Sequence, residues 1–228
     1  YMTHLIEEGR WEFVHGGWIE NDHASVSYQG LIEQMTLGYE YLRNRFGIIP
    51  RFAFDIDPFG QSLHTGHLYK QMGVEMVVLN RVHWKVKQMM KDSRNLEFMW
   101  MSNNQVKVFT HILHTHYSAP QGFDFENGGV PSISSSNVAQ RANLLLSRIE
   151  ERTRAYRTSV VLIPWGDDFK FKDARRQYSN MDQLIQYINS NSKNVHIQYS
   201  TISRYFEDMK KEAKEKKVEF SVVNHDFL

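Results

Sequence analysis

The segment RFAFDIDPFG, at residues 51–60, joins an apolar run to an acidic turn. The apolar part predicts a buried β-strand, and the proline and glycine that follow it predict that the chain turns there. Asp57 therefore lies at the carboxyl end of the strand, where it can serve as a nucleophile, bind a metal, or cap the turn. Asp55 alternates with Asp57, which favours one shared face of the strand. Asp55 therefore suits a residue that supports Asp57, or a half-buried carboxylate that is paired with another side chain.

A second apolar run leads into acidic residues further along the chain. The segment VVLIPWGDDF, at residues 160–169, predicts a strand that ends in a turn with Asp167 and Asp168 side by side. Adjacent carboxylates repel each other, and this repulsion can raise the pKa of one of them, as a general acid near neutral pH requires. The same residues also suit an ordinary acidic turn or a helix N-terminus.

Short β-branched or aromatic runs alternate with helical patterns along the chain. The predicted strands are 51–57, 76–80, 96–101, 106–110, 159–163 and 195–199. The predicted helices are 31–46, 142–149, 180–188 and 202–209, and Gly47 is a stop signal for the first. This alternation predicts an α/β fold with a mainly parallel sheet flanked by helices. The Gly-, Ser- and Pro-rich stretch 120–136 predicts a long loop inside one domain, residues 1–228.

Composition excludes several classes of function. The chain has 27 Lys and Arg against 26 Asp and Glu, which predicts no nucleic-acid partner. It has no cysteine, so disulfides and thiolate zinc sites are excluded. Its hydrophobic runs are shorter than the roughly 20 residues of a membrane span, so a membrane anchor, if any, is expected outside this chain.

Both acidic sites follow predicted strands of a parallel sheet, whose carboxyl ends usually form the ligand-binding edge. Glycoside hydrolysis uses two carboxylates, one that attacks or activates water and one that protonates the leaving oxygen. Acidic pairs also serve metal sites and phosphoryl transfer. The residues alone therefore predict a carboxylate enzyme and leave its reaction open.

Short motifs also occur in a fixed order over nearly the whole chain. They are GGWIEND at 16–22, QMTLG at 34–38, IDPFGQS at 56–62, RVH at 81–83, LEFMW at 96–100 and PWGDDF at 164–169. The ordered set resembles glycoside hydrolase family 38, the class II α-mannosidases, and IDPFGQS is its most specific member. RVH, LEFMW and the doubled aspartate resemble the Golgi-type branch more than the lysosomal one. Location in the secretory pathway, in the Golgi rather than the lysosome, is the corresponding expectation.

The resemblance implies a retaining α-mannosidase that acts on mannose-containing oligosaccharides in N-glycan processing, with Zn²⁺ as cofactor. Asp57 matches the nucleophile and zinc ligand of the family, and Asp168 matches its general acid/base. Phe59 corresponds to an aromatic residue of the sugar subsite, Arg81 to an arginine beside the nucleophile, and Tyr117 to an active-site tyrosine. By residue type alone, Phe59 and Tyr117 also suit core positions, and Arg81 suits a strand-end partner of a carboxylate.

The resemblance also implies that residues 1–228 are the central part of the N-terminal catalytic domain of a larger enzyme. The implied fold is a glycoside hydrolase/deacetylase-like α/β barrel, incomplete in this chain. A His-x-Asp zinc motif is expected before Tyr1 and a last zinc-binding histidine beyond Leu228, so Asp57 is the single family ligand present. We therefore expect this chain alone to be inactive and not to bind zinc at a native site. Surface or loop positions are expected for the histidines at 64, 67, 111, 114 and 116.

Two positions depart from the family pattern. Ser118 stands where Golgi-type sequences have aspartate, which weakens the inference about branch and substrate contacts. Gln61 replaces a histidine that is common after the glycine. Two alternative functions stay open at this point. One is a metal-dependent carbohydrate deacetylase, for which no His-His-Asp motif is visible. The other is a non-catalytic sugar-binding relative, which would not need both Asp57 and Asp168.

Overall fold

A computed structural model of the chain describes residues 1–126 and 129–227. The chain divides into two compact units. The first unit comprises Tyr1–His116, Arg154–Val160 and Ser200–Leu228, and the second comprises Tyr117–Thr153 and Val161–Tyr199. The assignment of residues 1–228 to a single catalytic domain stays a prediction.

Helices and short strands alternate along the described chain. In chain order they are α1 (Met2–Glu7), α2 (Tyr28–Phe46), β1 (Phe52–Asp55), α3 (Leu63–Gln71), β2 (Met76–Leu79), α4 (Trp84–Asp92), β3 (Glu97–Met101), β4 (Lys107–Ile112), α5 (Val138–Ala155), α6 (Ala174–Asn191), α7 (Ile202–Glu215) and β5 (Ser221–Val223). The four predicted helices lie within α2, α5, α6 and α7 and are confirmed. Gly47 ends α2 with a φ of 73°, the left-handed conformation that a glycine stop signal supplies.

The first unit contains a five-stranded sheet in the order β1-β2-β4-β3-β5. Among the pairings of described residues, three are parallel, and β3 pairs with β4 antiparallel. All four residues of β2 are buried, as is usual for a strand covered on both faces of the sheet. The prediction of a mainly parallel sheet flanked by helices is confirmed. Within the described residues the sheet has two edges, β1 and β5, and is not closed into a barrel.

The predicted strand at 159–163 is wrong, since this segment is irregular. Its first backbone N–H groups, at Ser159 and Val160, donate to the Glu212 carboxylate at 3.0 and 3.1 Å. Burial raises the pKa of Glu212, but the hydrogen bonds that it accepts from Lys216, Ser159 and Val160 outweigh burial and lower the pKa to about 2. A side chain thus satisfies backbone groups that would otherwise require a neighbouring strand.

The predicted strand at 195–199 is wrong for a similar reason. The side-chain amide of Asn189, in α6, donates to the Ile197 carbonyl at 2.8 Å and accepts the Ile197 N–H at 2.8 Å. Val195 and Ile197 pack against the apolar cluster of the second unit, to which α5 and α6 contribute. Packing on helices therefore explains the apolar alternation of this segment, and pairing with another strand does not.

A buried polar pair joins the two antiparallel strands. Glu97 of β3 lies opposite His111 of β4, with Oε1 and Nδ1 separated by 3.0 Å and both side chains fully buried. Tyr205 of α7 donates its hydroxyl to the same carboxylate oxygen at 2.5 Å. The expectation of a surface or loop position is wrong for His111, because this carboxylate and hydroxyl give its ring polar partners inside the core.

Helix α2 packs closely against the GGW segment at residues 16–18. The Trp18 N–H donates to the Gln34 carbonyl at 3.1 Å. A Cβ atom at Gly38 would overlap a carbonyl oxygen of this segment and would lie 2.5 Å from its next carbonyl carbon. Glycine is therefore required at residue 38 by the close approach of two backbones.

We expect Gly38→Ala to destabilise the chain, because neither backbone can move away without losing this contact. The expected loss in the free energy of unfolding is about 1–3 kcal/mol, measured by urea denaturation. Gly30→Ala in the same helix is the control, since its added Cβ would meet only side-chain atoms, at 3.2 Å or more. Helix propensity should make that variant neutral or more stable. Equal losses in the two variants would argue against the close approach as the cause.

Candidate active site

Asp57 and Arg81 follow two neighbouring parallel strands at equal distances along the chain. Because β1 and β2 pair Asp55 with Leu79, the residues two positions further on meet beyond the sheet. Arg81 Nε donates to Asp57 Oδ1 at 2.8 Å and to the Asp57 carbonyl at 2.9 Å, and Nη2 also contacts Oδ1. The Asp57 side chain remains 45% exposed. Arg81 therefore fixes the orientation of an accessible carboxylate.

Phe59 lies beside this ion pair with its ring exposed. The guanidinium carbon of Arg81 is 4.4 Å from the ring centroid, within the range of a cation–π contact. The Phe59 N–H donates to Asp22 Oδ1 at 3.2 Å, which gives the aspartate of the GGWIEND segment a structural role. Phe59 is 66% exposed and is not a core residue, so its aromatic face is available to a ligand.

Asp55 lies in a different environment from Asp57. Its side chain is buried, with Oδ2 2.8 Å from His23 Nε2 and Oδ1 3.6 Å from His15 Nε2. Burial alone raises the pKa of Asp55, but the hydrogen bond to His23 and the charges of both histidines bring the pKa below its usual value. Because β1 ends at Asp55, the alternation that predicts a shared face does not extend to Asp57.

Asp168 lies in an exposed turn of the second unit. Its Oδ1 accepts a hydrogen bond from the hydroxyl of buried Tyr117 at 3.2 Å. Asp167 accepts the Asp168 N–H at 2.8 Å and the Ser118 hydroxyl at 2.5 Å. Asp167 has a φ of 145°, which favours glycine, so these bonds hold a strained turn. The two aspartates thus have different roles. Asp167 accepts the hydrogen bonds that hold the turn, and Asp168 accepts the hydrogen bond from Tyr117.

The site residues predicted from the sequence form two groups. In the first unit Arg81 contacts both Asp57 and Phe59, and in the second unit Tyr117 contacts Asp168. The segment before Asp168 is irregular, in contrast to the predicted buried strand. The convergence of the two groups on one sugar ring stays a prediction.

A cavity of about 670 Å³ lies beside Arg81 in the first unit. Its lining includes Phe59, Asn80, Arg81, Trp84, Lys87 and His116. The Asn80 amide donates to the Ile56 carbonyl and to His116 Nδ1, both at 3.0 Å, and accepts from Lys87 Nζ at 3.2 Å. Sequence reasoning did not assign Asn80, Lys87 or His116 to a site. For Lys87 the available signal was the cationic run WKVKQMMKD, which forms α4.

The described residues do not complete a zinc site. In residues 1–126 and 129–227, no group of three or more His, Cys, Asp or Glu side chains is arranged to hold a metal ion. A catalytic zinc ion usually has three protein ligands and a water. Asp57 can supply one oxygen ligand, and the expectation of further ligands outside this chain stays a prediction.

Comparison with known proteins identifies the family. Residues 1–226 match the family described as "Glycosyl hydrolases family 38 N-terminal domain". The chain belongs to glycosyl hydrolase family 38. Alpha-mannosidase B of Dictyostelium discoideum is 37% identical over 261 residues, which cover 100% of this chain and 25% of that protein. Alpha-mannosidase 2 of Rattus norvegicus is 36% identical over 244 residues, which cover 93% of this chain and 21% of that protein.

The fold of this family 38 chain also matches a solved structure. An alpha-mannosidase from Enterococcus faecalis V583 superposes on 99% of the chain and 23% of its own length, with a TM-score of 0.73 and 15% identity. At this identity the match shows the fold alone. The chain spans about a quarter of the length of the curated relatives that it matches. No helix in the described part of the chain is long and apolar enough to cross a membrane.

We expect the Lys87 ammonium to lose its proton near pH 8. Burial lowers its pKa, and the positive charge of Lys91 lowers it further, to about 8. An NMR pH titration of ¹³C-methylated lysines measures this pKa, and Lys87→Arg identifies the resonance by its loss. A Lys87 signal that titrates at about pH 10 or above, like a lysine in water, would contradict the burial of this ammonium.

Proposed function

We propose that the protein hydrolyses α-mannosidic bonds of N-glycans with net retention, with Asp57 as nucleophile and Asp168 as general acid/base. The observation that supports this proposal best is the accessible Asp57 carboxylate, held by Arg81 at the end of β1 in a family 38 chain. The relatives compared above bear the name alpha-mannosidase. Because the chain spans about a quarter of their length, the activity is proposed for the whole protein.

The proposed reaction has two steps at one carbon. Asp57 attacks the anomeric carbon, and the bond from that carbon to the leaving oxygen breaks while Asp168 gives the oxygen its proton. Ionised Asp168 then takes a proton from water, which attacks the same carbon and displaces Asp57. Each displacement inverts the configuration, so the two together retain it.

Two neighbouring side chains support these roles by orientation. Arg81 binds Asp57 through Nε and Nη2, and its positive charge favours the ionised carboxylate that attack requires. Tyr117 is buried, so its ring fixes the hydroxyl that donates to Asp168 Oδ1. The exposed ring of Phe59, in contact with Arg81, offers an apolar platform for the C–H face of a mannose residue.

We propose Asp57 as one ligand of a Zn²⁺ ion in the whole protein. When bound, the metal would hold substrate hydroxyls and keep Asp57 ionised. The residues in the described ranges supply too few ligands for a zinc site, so neither step above depends on the metal. For the whole protein we also propose a place in the secretory pathway, in the Golgi rather than the lysosome, supported by the Golgi-type residues at 81–83 and 96–100 and by the doubled aspartate.

Asparagine variants of the full-length protein test the roles of the two aspartates. Asp57→Asn should lower kcat on the order of 10⁴-fold or more for every α-mannoside, because the nucleophile is lost. Asp168→Asn should lower kcat about 100- to 10,000-fold for poor leaving groups. It should lower kcat much less for 2,4-dinitrophenyl α-mannoside, because that leaving group needs no proton. Asp208→Asn, at an exposed position of α7, is the control and should retain full activity.

Three outcomes of these kinetics would contradict the proposal. Turnover by Asp57→Asn would remove its role as nucleophile, and equal losses for good and poor leaving groups would remove the acid/base role of Asp168. Mannoside binding without turnover in the unsubstituted protein would favour the sugar-binding alternative. NMR of the first product formed distinguishes retention from inversion.

The 228-residue chain by itself should hold no stoichiometric zinc after dialysis and should not hydrolyse an aryl α-mannoside. The physical reason is that one carboxylate ligand cannot hold Zn²⁺ tightly. Metal analysis by mass spectrometry and a chromogenic assay measure the two quantities on one sample. Stoichiometric zinc together with turnover would overturn this expectation.

A further inference from the structure

The cavity beside Arg81 is lined by cationic and aromatic side chains. Arg81 and Lys87 supply positive charge, and Phe59 and Trp84 supply rings that are 66% and 70% exposed. Among the described residues, those that line the cavity include neither aspartate nor glutamate. A wall of one sign of charge attracts ligands of the opposite sign, and exposed rings favour ligands that also have apolar faces.

The positive charges of Arg81 and Lys87 in this lining have different partners. Arg81 forms an ion pair with Asp57. Lys87 donates to the neutral amide oxygen of Asn80 at 3.2 Å, and it forms no salt bridge with a carboxylate in the described part of the chain. The charged group that acts on it most is Lys91, which is also positive. A partly buried ammonium without a counter-ion is costly unless a ligand provides negative charge.

Asn80 determines where this ammonium lies. Its amide nitrogen donates to the Ile56 carbonyl and to His116 Nδ1, so its amide oxygen is oriented towards Lys87. Ile56 immediately precedes Asp57, so one side chain links the ammonium to the strand end of the proposed nucleophile. An ammonium has three donor hydrogens, and the bond to Asn80 uses one of them. Donors therefore remain for a ligand in the cavity.

We propose that this cavity binds an anionic ester group, phosphate or sulfate, on the glycan whose mannoside Asp57 attacks, with Lys87 as the counter-ion. The glycan part of this inference rests on the proposed function, and the anion part rests on the cavity alone. Phe59 and Trp84 contact the sugar rings that bear the ester. A neutral glycan would leave the charge of Lys87 uncompensated, so Lys87 selects charged over neutral glycans.

Equilibrium binding of inorganic phosphate and of inorganic sulfate to the full-length protein tests the anion site without any turnover. Isothermal titration at pH 7 and constant ionic strength should show saturable binding. Lys87→Met should weaken this binding about tenfold or more, because the counter-ion is lost, whereas Lys87→Arg keeps the charge and should stay within about threefold. Lys70→Met is the control, since Lys70 lies at an exposed position of α3 outside the lining. Thermal unfolding verifies that each variant is folded.

Methyl α-mannosides with a phosphate ester, a sulfate ester or no ester distinguish the sources of the anion. Tighter binding of either ester than of the neutral mannoside, lost in Lys87→Met, supports the proposal, and the tighter ester identifies the preferred group. Absence of phosphate and sulfate binding, binding unchanged by Lys87→Met, or equal affinity for charged and neutral mannosides overturns it. Failure of the proposed hydrolysis would appear separately, as intact anion binding without α-mannoside turnover.

Discussion

The contact between Arg81 and Asp57 connects the carboxyl ends of two neighbouring parallel strands. A second contact joins the residues that immediately precede Arg81 and Asp57, since the Asn80 amide donates to the Ile56 carbonyl. Both contacts depend on the register that pairs β1 with β2, since a shift by one residue would bring different side chains together. The exposed ring of Phe59 and the adjoining cavity are in turn positioned by Arg81 and Asn80.

Buried carboxylate–histidine pairs join other segments of the first unit. Glu97 and His111 join β3 to β4, and Asp55 and His23 join β1 to the segment that precedes α2. Such pairs add little net stability, because both partners lose their contact with water. A misaligned strand would leave one partner buried and unpaired, which costs far more than the aligned pair contributes. We infer that these pairs specify the alignment of the segments that they join more than they stabilise the fold.

The second unit positions its polar residues without a sheet in its described residues. Its apolar cluster is built from α5, α6 and the segments that pack on them, and side chains such as Asn189 satisfy the backbone groups of those segments. Tyr117 is buried and reaches Asp168 in an exposed turn, where Asp167 takes a strained backbone conformation. Packing and side-chain hydrogen bonds therefore replace strand pairing as the means of orientation.

The sequence alone was sufficient to predict the main helices, the strand that leads to Asp57 and the glycine that ends α2. These features depend on periodicity and turn residues within a few positions of each other. It could not show that Asp55 is buried while Asp57 is accessible, or that Ser159 binds Glu212 instead of a strand. Only the tertiary structure decided these points, because burial and backbone partners depend on groups far apart in sequence. Ser159 and Glu212, for example, are separated by 53 residues.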